Sequence, residues 1–110
     1  MIKKFEVSFL EEARAFLTSL NEKTRNKILA NIEKAQVLND PELFKKLDRE
    51  IWEFRTRFDK KQYRLLAFWD KSDDKHTLVI ATHGFMKKQS AVPKKEIEKA
   101  WKLRKQYFNE

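Results

Sequence analysis

The chain predicts an α+β fold, with elements in the order β-α-α-β-β-β-α, and three observations predict it. Apolar residues follow helical spacing up to Leu38 and again after Pro93. After Leu47 the period becomes strand-like, with alternating or continuous apolar runs. The connectors within that middle region are short and polar, as an antiparallel meander requires.

Ile2 to Val7 reads as a short opening strand. Ser8 with Glu11 three residues on makes a capping box, so a helix is expected from about Phe9 to Leu20. Asn21 and Glu22 interrupt it, and Ile28, Leu29, Ile32, Ala35 and Leu38 place a second helix over about Lys23 to Leu38. The two form a hairpin with one apolar side. Asn39-Asp40-Pro41 ends it, because the residue before a proline is pushed out of helical geometry. Three strands follow, about 50–58, 62–70 and 76–85, joined by a four-residue turn, Asp59 to Gln62, and by Lys71 to Lys75. Pro93 suits the start of the last helix, where Ile97, Ala100, Trp101, Arg104 and Phe108 share a face.

At 110 residues the chain is read as one domain, 1–110. Hydrophobic residues make up 41%, too many for a disordered tail despite 38% charge. There is no cysteine, so neither disulfides nor thiolate chemistry can operate. No stretch approaches membrane-spanning length and the N-terminus lacks a signal-peptide core, so a soluble, cytoplasmic protein with no membrane partner is expected. Gly84 is the sole glycine, which excludes a glycine-rich phosphate loop.

Residues 1–44 hold seven Lys/Arg against seven Asp/Glu, whereas residues 45–110 hold eighteen against ten and carry the whole +8. Attraction to a polyanion follows. Within that half, Trp52, Phe54, Thr56 and Phe58 fall on one face of a strand and Glu53, Arg55 and Arg57 on the other. The apolar face must be buried, so the other presents two guanidiniums at fixed spacing, a geometry suited to phosphate. Arg64 returns a third beside them. Lys60 and Lys61 in the turn, and Lys87 and Lys88 after the last strand, add cations for RNA.

Glu53 is either a general base or an ion-pair partner of the arginines. His83 is either catalytic or packed; by strand parity it shares the side of Val79, Ala81 and Phe85. His76 sits by a turn. Two separated histidines make no metal site. Among the strand aromatics, most cover the hairpin, and Phe85, beside the lysines, is a candidate for stacking on a base.

The ordered set Glu-Phe-Arg-Thr-Arg-Phe, Tyr-Arg-Leu-Leu, His-Gly-Phe-Met-Lys-Lys-Gln and Val-Pro-Lys-Lys-Glu-Ile-Glu-Lys-Ala resembles the HigB-like branch of the RelE/ParE toxin superfamily. The resemblance implies a RelE-like fold, a twisted antiparallel sheet packed against an N-terminal helical hairpin. It implies a type II toxin, most often a metal- and cofactor-independent ribosome-dependent messenger RNA endonuclease, held inactive by a helix-turn-helix antitoxin and touching DNA only through that antitoxin. Arg55 and Arg57 match the family's basic second-strand positions, Arg64 its catalytic arginine, and Lys87 and Lys88 its late basic pair. No tyrosine or histidine stands where several relatives carry one near the C-terminus, which leaves acid and base open. A gyrase-inhibiting toxin of the same fold and a non-catalytic RNA- or ribosome-binding module are the alternatives. An acidic or mixed-charge antitoxin would cover the Arg55, Arg57 and Arg64 face or bind the hairpin, which is read as electrically neutral and favoured. The last helix, bearing Trp101, Tyr107 and Phe108, is a second candidate surface.

Overall fold

The structure, a computed structural model, describes residues 2–75 and 77–110; the reading of His76 lies outside them. The elements are β1 (Glu6–Phe9), α1 (Glu11–Ser19), α2 (Glu22–Val37), β2 (Phe44–Asp48), β3 (Ile51–Phe58), β4 (Lys61–Asp70), β5 (Leu78–Lys87) and α3 (Lys94–Tyr107). They build one five-stranded sheet in the order β1-β5-β4-β3-β2. The α+β class holds, with two corrections. The sheet is mixed, because β1 runs parallel to β5 while the other neighbours are antiparallel. A strand is also added at the edge: β2 shifts register between Lys46 and Asp48, so Phe44 and Leu47 lose the period of two that would have revealed it.

Local chemistry moved some boundaries. Ser8 lies in β1 opposite Ile80, so the capping box does not form, and Leu10 caps α1 without a side-chain bond. Asn21 does cap α2, accepting the Thr24 N–H at 2.9 Å. The β3–β4 turn is two residues rather than four: Asp59 and Lys60 have φ of 54° and 62°, the left-handed pair a tight hairpin uses.

The hairpin packs Ala13, Leu17, Ile28, Ile32 and Ala35 on Phe54, Leu65, Ala67, Val79 and Ala81, one face of the sheet. Gly84 permits this close approach, since a Cβ there would overlap the Phe16 ring. On the opposite face Ala100, Trp101 and Phe108 of α3 cover Ile51, Leu66, Phe68 and Ile80. The Trp101 indole N–H donates to Asp48 Oδ2 at 3.1 Å, and the Tyr107 hydroxyl to Asp70 Oδ2 at 2.6 Å. The second bond lowers the Asp70 pKa, after the larger effect of Ser72, and pushes Tyr107 up to about 12. Among the described residues no helix is long and apolar enough to cross a membrane. Beyond Leu66, toward the β3–β4 turn, α3 no longer covers its face.

Candidate nucleic-acid interface

The uncovered half of that face is built by register. Arg55 pairs with Arg64, Arg57 with Gln62, Gln62 with Lys87 and Arg64 with Phe85, so strand alternation brings all six side chains to one side. Lys45 of β2, opposite Glu53, joins them. A cleft of about 240 Å³ opens at the rim, lined by Asn31, Glu42, Leu43, Arg55, Thr56, Arg57, Gln62 and Arg64.

Arg64 is 3% exposed, yet it lines this cleft. Its Nε lies 2.9 Å from Glu53 Oε1, its Nη1 donates to its neighbour's carbonyl at Tyr63 at 3.0 Å, and its Nη2 donates to Gln62 Oε1 at 2.9 Å. A guanidinium has five N–H groups, so one on each Nη stays uncommitted. Burial lowers the Arg64 pKa, Glu53 opposes that, and Arg55 adds to it. Two cations facing each other across a ladder are tolerable because Glu53, itself 4% exposed, sits diagonal to the pair. Glu53 is held in the ion pair that the blander of its two expected roles describes, and it does not line the cleft.

Arg55 is half-buried, with Nη1 3.4 Å from the Pro41 carbonyl, and Arg57 is exposed. Lys87 is half-buried. Desolvation, then Arg64, then Arg55 and Lys45 hold its pKa below the usual lysine range against the opposite pull of Glu53. Lys88, one residue past the strand, is exposed and lines no part of the cleft. Lys60 and Lys61 are exposed at the hairpin tip, away from the cleft lining.

Strand parity misplaces His83. The register runs Leu66 to His83 and then Ala67 to Ala81, so Thr82 is an extra residue in β5. This bulge puts Val79 and Ala81 under the hairpin and turns His83 and Phe85 to the α3 side. His83 is 3% exposed, with Nε2 3.1 Å from Glu96 Oε1 and Nδ1 2.9 Å from Thr82 Oγ1. Burial lowers its pKa, outweighing Glu96, and the two bonds make it a clasp between β5 and α3. Phe85 stacks on it at 6.0 Å and stays partly exposed opposite Arg64. Trp52, Phe54, Phe58 and Trp69 belong to the hairpin side; Trp52 stacks on Phe44 at 4.9 Å.

Sequence reasoning missed Lys45, Gln62, Asn31 and Glu42. Gln62 closes the expected turn and opens the expected strand 62–70, and only the two-residue turn of the structure seats it inside the strand, facing Arg57. Lys45 and Glu42 came with the missed edge strand. Asn31 shows as a polar residue among the apolar positions of α2, and its Nδ2 donates to Thr56 Oγ1 at 3.1 Å.

No curated protein matches the chain. Among solved structures, a chain of the RelBE2 toxin–antitoxin complex from Mycobacterium tuberculosis is 25% identical, with 78% of this chain and 100% of that chain covered and a TM-score of 0.48. The pattern of the family described as phage derived protein Gp49-like (DUF891) matches residues 15–105, from within the first helix almost to the end of the last. The chain belongs to this Gp49-like family of phage-derived proteins, a family of RelE/HigB-type toxins.

Proposed function

We propose that this toxin is a metal-independent endoribonuclease that cuts messenger RNA on the ribosome and is silenced by a cognate helix-turn-helix antitoxin. The observation that carries the reading is that Arg55, Arg57 and Arg64 line one open cleft, with Lys87 and Lys45 brought to the same face by register. Arg55 and Arg57 grip the scissile phosphate. The two uncommitted Arg64 N–H groups meet the charge that builds on its oxygens. The substrate's own 2′-oxygen attacks phosphorus, forming a 2′,3′-cyclic phosphate as the bond to the 5′-oxygen breaks. Glu42, the carboxylate in the cleft lining, takes the 2′-hydroxyl proton, and Lys87, with its pKa lowered, gives one to the departing 5′-oxygen. Phe85 offers a stacking surface for an adjacent base. Lys60 and Lys61 at the tip, and Lys88, supply longer-range attraction, so ribosome binding should weaken steeply with salt.

The test is controlled induction in cells with mapping of messenger RNA 5′ ends. The expected result is breaks within translated frames, in step with growth arrest and absent in an Arg55→Ala/Arg57→Ala variant. Growth arrest with intact messages would overturn the reading in favour of the gyrase-directed alternative.

A further inference from the structure

On the hairpin side, toward the other end of β3 and β4 from the cationic cleft, a separate cavity of about 160 Å³ opens where the C-terminal end of α2 and the segment before β1 meet the sheet. It has room for about five waters at about 30 Å³ each. Four rings line it, those of Phe5, Phe44, Trp52 and Trp69. The two indoles stand at 77° with centroids 6.0 Å apart, and the Phe5 ring meets Trp69 at 65°, so aromatic walls enclose the space from several directions. Both indoles are partly exposed, and neither N–H has a partner among the described residues, whereas that of Trp101 is bonded to Asp48. Asp40 and Lys4 are the charged residues of the lining. The Asp40 carboxylate accepts one bond, from the Glu42 N–H at 2.9 Å, and the Lys4 ammonium meets no carboxylate among the described residues. The walls are tied together. The Lys4 N–H donates to the Gln36 carbonyl at 2.6 Å, Gln36 Nε2 to the Phe5 carbonyl at 3.0 Å, and the Phe44 N–H to the Asp40 carbonyl at 3.1 Å.

We propose that this cavity binds a small zwitterion with a quaternary ammonium at one end and a carboxylate at the other. Aromatic rings attract a cation through the negative potential of their faces. A primary ammonium would need several acceptors, and Asp40 is the one anionic side chain in the lining. A quaternary ammonium has no N–H to satisfy, so rings and one nearby carboxylate suffice. Ala35 and Leu38 bring the C-terminal end of α2, the negative end of its dipole, to the same cavity. A bare cation would be repelled by Lys4 and would leave the two indole donors unused. A carboxylate on the same small molecule gives Lys4 and the indole N–H groups an acceptor. None of the residues assigned to RNA lines this cavity, so the site does not depend on the nuclease reading.

The probe is glycine betaine, titrated into isotope-labelled full-length protein and followed at the indole N–H signals by NMR. Those of Trp52 and Trp69 should shift and saturate, while that of Trp101 stays in place. The comparison ligand is tert-butylacetate, which has the same shape and carboxylate with carbon in place of the charged nitrogen. It should bind about tenfold more weakly, the loss expected when cation–π attraction is removed. Asp40→Asn keeps an oxygen for the Glu42 N–H but loses the charge, and should weaken glycine betaine. Lys4→Gln should also weaken glycine betaine, yet strengthen tetramethylammonium, which has no carboxylate to meet the lysine. Equal binding of tert-butylacetate would reduce the site to an apolar pocket and overturn the proposal. So would unchanged binding in Lys4→Gln, a shift that never saturates, a shift centred on Trp101, or no shift at millimolar probe. Sedimentation with phosphatidylcholine vesicles without binding of free glycine betaine would assign the rings to a lipid headgroup and overturn it as well.

Discussion

The face of the sheet under the helical hairpin is mostly apolar, broken by Thr56 where it meets Asn31, whereas the opposite face changes character along its length. There Leu66, Phe68 and Ile80 are sealed by α3, and a few residues along the same strands Arg64 and Gln62 line an open cleft, with Lys87 opposite Gln62 in the ladder. The strands are shared, so strand propensity cannot account for the contrast. What differs is the cover. Helices α1 and α2 cross their face, while α3 docks on one half of its own and is fixed there by Trp101 to Asp48, His83 to Glu96 and Tyr107 to Asp70. Cations belong where no helix lies, and the one buried deepest, Arg64, carries its own counter-ion in Glu53.

The largest effect tests whether that pair is architecture or chemistry. Glu53→Ala leaves the Arg64 charge buried and unpaired, and should lower unfolding free energy by about 3–5 kcal/mol in urea melts. A double replacement, Glu53→Leu with Arg64→Met, restores apolar packing and should recover most of that stability. Under the proposed function it should also remove cleavage by about 100- to 1,000-fold, since a charge-stabilising donor is lost. A stable double variant that still cuts RNA at the normal rate would reduce Arg64 to a structural role.

Lys87 sharpens the contrast between holding a phosphate and moving a proton. Lys87→Arg keeps the charge but cannot release a proton near neutral pH. If Lys87 is the acid, cleavage should fall about 100-fold in that variant. The wild-type rate should decline as pH rises through the lowered Lys87 pKa, because the protonated form is the working one. Unchanged cleavage in Lys87→Arg would assign the lysine to phosphate contact alone.

Much of this contrast was legible in the chain. The shared face of Arg55 and Arg57 followed from alternation and the place of Arg64 beside them from the return through the turn, and the fold class and family type followed from element order and the quoted segments. Failures fell where a strand departs from period two. The Thr82 bulge reversed the side of His83, and the shift at Lys46 to Asp48 hid β2, and with it Lys45 and Glu42. An inserted residue is chosen by three-dimensional pairing, so no local propensity marks it. Burial was equally unreadable: Arg64 reads as a surface cation until its diagonal Glu53 and the neighbouring ladder are known.

On the sealed face the corresponding test is Gly84→Ala. The new methyl meets the Phe16 ring, which is wedged between α1 and β5, and overpacking of this kind costs about 1–3 kcal/mol. A thermal melt should show the loss, and Phe16→Leu in the same background should return part of it by making room. Full stability in Gly84→Ala alone would mean that α1 slides freely on the sheet.

The smallest effect lies at the far end of α3. Tyr107 is 38% exposed, so its bond to Asp70 is worth less than a buried one, and Tyr107→Phe should cost about 1 kcal/mol. The pH dependence gives the sign. Asp70 titrates below its ordinary value in the folded chain, so its contribution is present above about pH 4 and fades as pH falls through the lowered value. Tyr107 is pushed up to about 12, so its contribution is present below about pH 10 and fades as pH rises through 12. The stability difference between wild type and Tyr107→Phe should therefore be flat between those limits and shrink outside them. Cleavage should be unchanged across the flat range, because this clasp holds the half of the face that α3 seals and the cleft is lined from β3, β4, α2 and the segment before β2, with no residue of α3. A loss of cleavage in Tyr107→Phe without loss of fold would show that the seating of α3 reaches the cleft, with His83 and Phe85 as the residues that connect them.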